Sequence, residues 1–144
     1  MSIYYDSSSL LTVLLNEAGQ GMIISLWEAD CQRNASILLE AEAVVALRRV
    51  ARISGLTTDS PCMKARLQEL ETYLAGVVLR DVDHAVISVL RNTPELANCR
   101  SSDALHLATA ILFQQQLGEP LRICSLDQRM REQAARLKFK VVPE

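Results

Sequence analysis

The sequence predicts one α/β domain built on a central, mainly parallel sheet, and three observations carry that reading. Short β-prone segments alternate with helices of roughly ten to sixteen residues, the pattern given by a parallel sheet covered on both faces. The 144 residues suit one core and one domain spanning 1–144, with no linker-like stretch, repeat or low-complexity segment to divide them. Hydrophobic residues make up 49% of the chain and charged residues 22%, which is too apolar for a disordered polypeptide.

Ile3 to Asp6 reads as a short strand ending in an acid. Ser7, Ser8 and Ser9 then supply a capped start for a helix carrying Leu10, Leu11, Val13, Leu14 and Leu15. Gly19 and Gly21 punctuate the chain before a second helix over Met22 to Asp30, and a short strand is expected near Asn34 to Leu38. From Leu39 to Ser54, the residues Leu39, Ala43, Ala46, Leu47 and Val50 recur at helical spacing. Arg48, Arg49 and Arg52 crowd the C-terminal turns of this helix, where cations suit its dipole, and Gly55 ends it. Pro61 to Leu74 is a further helix, Val77 to Arg80 a strand and Asp83 to Arg91 a helix, with a loop through Pro94. The strongest helix runs from Ser102 to Leu117. Leu121 to Cys124 reads as a strand, Asp127 to Leu137 as a helix and Phe139 to Val142 as the last strand.

Charge and cysteine usage exclude several classes. Fifteen Lys and Arg against seventeen Asp and Glu give a formal charge of −2, with no sign of a basic tail or a membrane-surface patch. That sum hides an uneven distribution: before Arg48 one basic residue, Arg33, faces six acids, and from Arg48 to Lys140 fourteen basic residues face ten. The longest stretch without charge, Ala104 to Gly118, contains His106, Thr109 and three Gln, so it reads as a buried helix and no membrane span is expected. The start of the chain has no positive region ahead of its apolar residues, and a signal peptide is not expected. Cys31, Cys62, Cys99 and Cys124 form no C-x-x-C pair. They read as reduced thiols in a cytoplasmic protein.

In parallel α/β sheets, ligands gather at the carboxyl ends of the strands beside the helix N-termini. Four acids fall at such places. Asp6 ends the first strand, and Asp127 follows the strand LRIC at a helix start. Asp103 lies in the first turn of SSDALHLATAILF, and Glu42 lies in the first turn or so of EAEAVVALRR. Glu40, two residues before Glu42, faces another side of the helix. Each acid taken alone is better read as a helix cap or dipole partner, and it is the set of four that points to a site. Together they would repel one another severely unless protons or cations neutralised them, and a set of hard oxygen ligands without Cys or His suits Mg²⁺ or Mn²⁺.

These segments also carry a family pattern. YYDSSSLL, SILLEAEAVVALRR, SSDALHLATA and CSLDQRMREQA, followed by a terminal KVV strand, resemble a PIN domain, and more narrowly the VapC-type toxins of bacterial type II toxin–antitoxin pairs. The resemblance spans essentially the whole chain, and DALHLATA is its most specific segment. It implies a PIN-like three-layer α/β/α fold and a Mg²⁺- or Mn²⁺-dependent endoribonuclease that leaves a 5′-phosphate. The metal-binding acids would be Asp6, Glu42, Asp103 and Asp127, with Ser8 and Ser125 as hydroxyls beside the first and last of them. It further implies an RNA substrate, a cognate antitoxin and a homodimer. The lead-in CRSS, Ser125 in place of a usual Thr and Lys138 in place of a frequent Gly depart from the pattern without touching the four acids.

Other readings remain beside this one. A non-catalytic PIN-like scaffold that binds RNA or protein would be favoured by an incomplete acid set, and all four acids are present. A phospho-receiver domain would need a lysine near the end of a late strand, and the only lysines are Lys64, Lys138 and Lys140. A third reading is a structural partner or antitoxin whose role is binding alone. His106 serves either as a general base or as a packing residue among Leu105, Leu107 and Ile111. Thr109 is read as a core residue bonded back to the preceding turn. Arg129, Arg131, Arg136, Lys138 and Lys140 adjoin Asp127 and are candidates for RNA contact, or for a solvated helix face. The leucines and isoleucines of the first helices (Leu10, Leu11, Leu14, Ile23, Leu26) are read as core or as interface.

Overall fold

The structure is a computed structural model and describes residues 1–29, 31–57 and 59–144. Asp30, the expected end of the second helix, lies outside the described residues. The strands are β1 (Ser2–Tyr5), β2 (Gln32–Ser36), β3 (Val78–Arg80), β4 (Leu121–Cys124) and β5 (Lys140–Val142). The helices are α1 (Ser7–Leu14), α2 (Gln20–Glu28), α3 (Ile37–Ile53), α4 (Pro61–Leu74), α5 (His84–Asn92), α6 (Ser101–Leu117) and α7 (Gln128–Arg136). The segment expected to be a loop through Pro94 is wound into a short 3-10 turn, Pro94–Asn98.

The strands form one sheet in the order β3-β2-β1-β4-β5, and every described pair is parallel. Alternate residues of β1 face opposite sides, as the pleat requires. Ile3 and Tyr5 join the core made with α1 to α4, including Leu10, Leu14, Leu39, Leu47 and Leu70. Tyr4 joins the core made with α5 to α7, including Val86, Leu107, Phe113 and Met130. The result is three layers, α/β/α. The order reverses between β1 and β4, so the connections leaving these neighbours diverge to opposite sides. A crevice opens there, above the carboxyl ends of both strands.

Helix starts follow short polar side chains that satisfy free backbone N–H groups. Asp6 caps α1, Ser36 caps α3, Ser60 caps α4 ahead of Pro61, Asp83 caps α5 and Asp127 caps α7. Asp6, rather than the serine run, is therefore the cap of α1, and the three serines form its first turn. The strand expected near Asn34–Leu38 ends at Ser36, because the Ser36 hydroxyl accepts from the Leu38 N–H at 3.1 Å and turns Ile37 and Leu38 into α3. It begins at Gln32 because pairing with Ser2 on β1 recruits residues of low β-propensity. One consequence is that Glu42 lies in the second turn of α3 and Glu40 in the first.

All four cysteines are free thiols, and burial pushes the Cys124 thiol up to about 12. Leu10, Leu14 and Ile23 are fully buried core residues, while Leu11 and Leu26 are partly buried against the same core. Thr109 donates to the Leu105 carbonyl at 2.7 Å inside the core. Among the described residues no helix is long and apolar enough to cross a membrane.

Of the basic residues near Asp127, Arg131 has another use. Its guanidinium donates to the carbonyls of Ser125 and Pro143, each at 2.7 Å, and so ties α7 to the ends of β4 and β5. Lys140 pairs with Glu144 at 3.0 Å. Two charge-assisted hydrogen bonds make Arg131→Ala cost roughly 2–3 kcal/mol, read as a lower midpoint in urea unfolding. An unchanged midpoint would show that the tie contributes nothing to stability.

Candidate active site

β1 ends at Tyr5, so the next residue projects from the carboxyl end of the strand into the crevice. That residue is Asp6, whose backbone N–H continues the ladder to the Cys124 carbonyl at 3.2 Å. Its side chain is only 4% exposed and is fully engaged. Oδ1 accepts from the Ser8 hydroxyl at 2.7 Å and the Ser9 N–H at 3.1 Å, and Oδ2 accepts from the Ser125 hydroxyl at 2.6 Å. Burial raises the Asp6 carboxyl above its ordinary range, and the hydrogen bonds from Ser125 and Ser8 oppose that rise. Ser125 follows β4 directly and is completely buried. The two hydroxyls named beside the first and last acids thus meet under Asp6, 3.3 Å apart.

Asp127, two residues beyond Ser125, accepts from the Met130 N–H at 2.9 Å as the cap of α7. Its own N–H donates to the Ser125 hydroxyl at 3.1 Å. The loop is further fixed by the Leu126 N–H, which donates to the Ser8 hydroxyl at 3.2 Å. The ends of β1 and β4 are therefore joined through Ser8 and Ser125.

Glu42 enters from the opposite helical layer. On α3 the residues Leu39, Ala43 and Leu47 face the sheet, and Glu42, three residues after Leu39, is turned towards α6. There its Oε1 lies 2.5 Å from His106 Nε2, and its Oε2 accepts from the Ser102 hydroxyl at 3.2 Å. Burial alone would raise the Glu42 carboxyl, but the hydrogen bonds it accepts, that from His106 foremost, outweigh it and hold the group below its ordinary range. Asp103, in the first turn of α6, is the acid left without a hydrogen bond to its buried oxygen. That oxygen, Oδ2, has Arg100 Nε 3.6 Å away.

The four acids line one cavity of about 250 Å³, together with Ser7, Ser8, Arg100, Ser102 and His106. Ser125 sits beneath it. Arg100, Ser102 and Ser7 were not singled out from the sequence; Arg100 and Ser102 precede Asp103 in the CRSS lead-in, where the only available signal was proximity to an acid. Glu40 is not among the lining residues. A second groove of about 440 Å³ runs alongside between α1 and α3. It shares Ser7 and Glu42 with the first and is otherwise lined by Leu11, Ala41, Val45, Ala46 and Arg49.

The donor chemistry fits a hard divalent cation: the cavity's acids are carboxylates, no thiol lines it, and both His106 nitrogens are engaged. The buried Asp103 oxygen points the same way, since it accepts no hydrogen bond and the arginine paired with it at 3.6 Å is itself largely exposed. As the side chains stand, no three described His, Cys, Asp or Glu residues are grouped closely enough to hold a metal ion. The hydrogen bonds to Ser8, Ser125, His106, Ser102 and the Met130 N–H hold Asp6, Glu42 and Asp127 each on its own wall.

No protein-family model matches the sequence, and no curated protein matches it. Solved structures do. A toxin–antitoxin complex from Klebsiella pneumoniae superposes with a TM-score of 0.67 at 16% identity, covering 99% of this chain and 97% of that one. VapBC2 from Rickettsia felis, bound to a DNA fragment from its promoter, gives 0.66 at 11% identity over 98% and 97%. A protein from Pyrobaculum aerophilum gives 0.63 at 18% identity over 98% and 83%. At these identities the likeness speaks for the fold, and it covers nearly every residue of the chain. This chain therefore shares its α/β/α fold with these structures, in agreement with the three-layer fold that the resemblance of its motifs implies.

Proposed function

We propose that this protein is a metal-dependent endoribonuclease, the toxin of a toxin–antitoxin pair, acting at the cavity of Asp6, Glu42, Asp103 and Asp127. The observation that carries the reading is the gathering of these four acids from both helical layers at the strand-order reversal, with one buried Asp103 oxygen left without a hydrogen bond. A scaffold that only bound RNA or protein would gain nothing from such mutual repulsion. Solved structures of the same fold include a toxin–antitoxin complex and VapBC2, which supports the toxin role.

Asp6 and Asp103 are the residues proposed to hold Mg²⁺ or Mn²⁺, with Glu42 and Asp127 completing the set directly or through water. When bound, the ion supplies Lewis-acid polarisation of the phosphoryl group and an acidified water for in-line attack. The chain's own contribution is orientation. Ser8 and Ser125 fix the Asp6 carboxylate, His106 and Ser102 fix that of Glu42, and Arg100 sets a cation at the rim where a phosphate would approach. Hydrolysis would break the bond between phosphorus and the 3′-oxygen and leave a 5′-phosphate and a 3′-hydroxyl, the attacking water losing a proton to solvent and the departing 3′-oxygen taking one up from it.

The groove between α1 and α3 opens onto Glu42 and presents an apolar wall around a 53% exposed Val45. It suits an apolar helix of an antitoxin, which would cover the cavity entrance. Dimerisation and a cytoplasmic location belong to the same proposal.

Incubation of the purified protein with RNA should give Mg²⁺- or Mn²⁺-dependent cleavage that EDTA stops. Its expression should arrest growth until the antitoxin gene is supplied. Undigested RNA at saturating metal, from protein that melts cooperatively, overturns the nuclease reading.

A further inference from the structure

The core between β1 and α6 contains a polar row that core packing alone does not require. Tyr4 is completely buried, and its hydroxyl lies 2.9 Å from His106 Nδ1, the two rings meeting edge to face at 6.1 Å. His106 is itself 2% exposed, and its other nitrogen meets Glu42 at 2.5 Å. Both nitrogens are therefore spent inside the protein, and neither is free to take a proton from a water in the cavity. Of the two roles open to His106 in the sequence, general base and packing residue, this geometry fits neither fully.

The proton positions follow from donor and acceptor types. An ionised carboxylate only accepts, so Nε2 facing Glu42 carries a hydrogen. The Tyr4 hydroxyl has one hydrogen to give, and a neutral imidazole protonated at Nε2 has an open lone pair at Nδ1 to receive it. Glu42, for its part, has reason to leave. Its side chain is 36% exposed, it shares a small cavity with Asp6, Asp103 and Asp127, and like charges together with the pull of solvent draw it outward. Against that pull its carboxylate is restrained by the His106 bond, by the longer one from Ser102 and by Ser7.

We propose that Tyr4 and His106 are positioning residues for Glu42: the phenol fixes the imidazole with its proton on Nε2, and that N–H holds the carboxylate over the cavity. What Glu42 is held ready for, a divalent cation, rests on the function proposed above. The positioning row itself rests only on the geometry of Tyr4, His106 and Glu42.

The test uses Mn²⁺ binding by calorimetry on the full chain, with ¹⁵N NMR of the His106 ring in the metal-free protein. His106→Ala should weaken Mn²⁺ binding by roughly tenfold or more, the low end of the loss seen when a group behind a metal ligand is removed. His106→Gln, whose amide can still donate to Glu42, should recover most of that loss. Tyr4→Phe, which deletes a single oxygen from the core, should weaken binding less than His106→Ala. It should also move the ring from Nε2-protonated towards a mixture of tautomers. Mn²⁺ affinity in His106→Ala equal to wild type overturns the proposal, as does a wild-type ring protonated at Nδ1. If His106→Ala does not fold, His106→Gln and Tyr4→Phe decide the matter. If the wild-type chain binds no Mn²⁺, the metal reading falls, and the NMR result still decides whether the row positions Glu42.

Discussion

Asp103→Asn and Asp6→Asn should each lower RNA cleavage by at least about a hundredfold without unfolding the protein. The loss follows from removing a central charged ligand from a site whose ion contributes several kcal/mol to the reaction. The fold should survive for different reasons at the two positions. Asp103 contributes no hydrogen bond through its buried Oδ2, so the neutral amide relieves repulsion and costs little. Asp6 caps α1, and Asn is as good a cap as Asp. With the amide oxygen kept towards the Ser9 N–H and the Ser8 hydroxyl, the Ser125 hydroxyl can rotate to accept from the new amide nitrogen.

At Asp6 the exchange should even stabilise. Burial raises its carboxyl above the ordinary range in the folded protein, so the native state binds the proton more tightly than the unfolded chain. Stability is then lost as pH rises from the unfolded value through the folded one, and the penalty is complete above the folded value. Asp6→Asn removes that penalty. Its melting temperature should exceed that of wild type at pH 7, and the difference should close as pH falls below the ordinary carboxylate range. Thermal melts at neutral and acidic pH check this, and an Asp6→Asn protein that is inactive only because it is unfolded would overturn the assignment.

Mn²⁺ or Mg²⁺ should raise the melting temperature of the wild-type chain by about 10 °C when present at roughly a hundred times its dissociation constant, and EDTA should reverse the rise. Binding to the native state alone at that ratio contributes about 2.7 kcal/mol, which in a domain of this size corresponds to a shift of that order. The source of the effect is local. Four carboxylates around one cavity repel one another, and a divalent ion removes the repulsion while satisfying the bare Asp103 oxygen. The shift should therefore shrink by more than half in Asp103→Asn, and it should be smaller for Ca²⁺ if the cavity suits a smaller ion. No shift at millimolar Mn²⁺ would take the metal out of the proposed mechanism.

The elements of the fold were largely legible because their signals are local. Pro61 after Ser60, the uncharged run from Ala104 and the glycine after Leu117 mark helices by side-chain chemistry within a few residues of each end. β2 was displaced by two residues because Gln32 and Arg33 have no strand preference of their own; pairing with β1 gives it to them. Arg131 was grouped with candidate RNA contacts on proximity to Asp127, whereas its guanidinium is spent on two carbonyls. The Tyr4–His106–Glu42 row could not be read at all. Its members lie 102 and 64 positions apart, and nothing in any one segment signals the other two.

The sequence by itself determined the strand-and-helix alternation, the acids at helix starts and a family pattern specific enough to imply the fold. These are consequences of periodicity, capping and spacing, each set within one segment of chain. Only the tertiary structure decided that the sheet order reverses between β1 and β4, that Asp6, Glu42, Asp103 and Asp127 therefore line one cavity, and that Glu42 is held there by a buried histidine. Convergence of that kind depends on how two helical layers meet across a sheet, and no short-range pattern encodes a distance between residues brought together by folding.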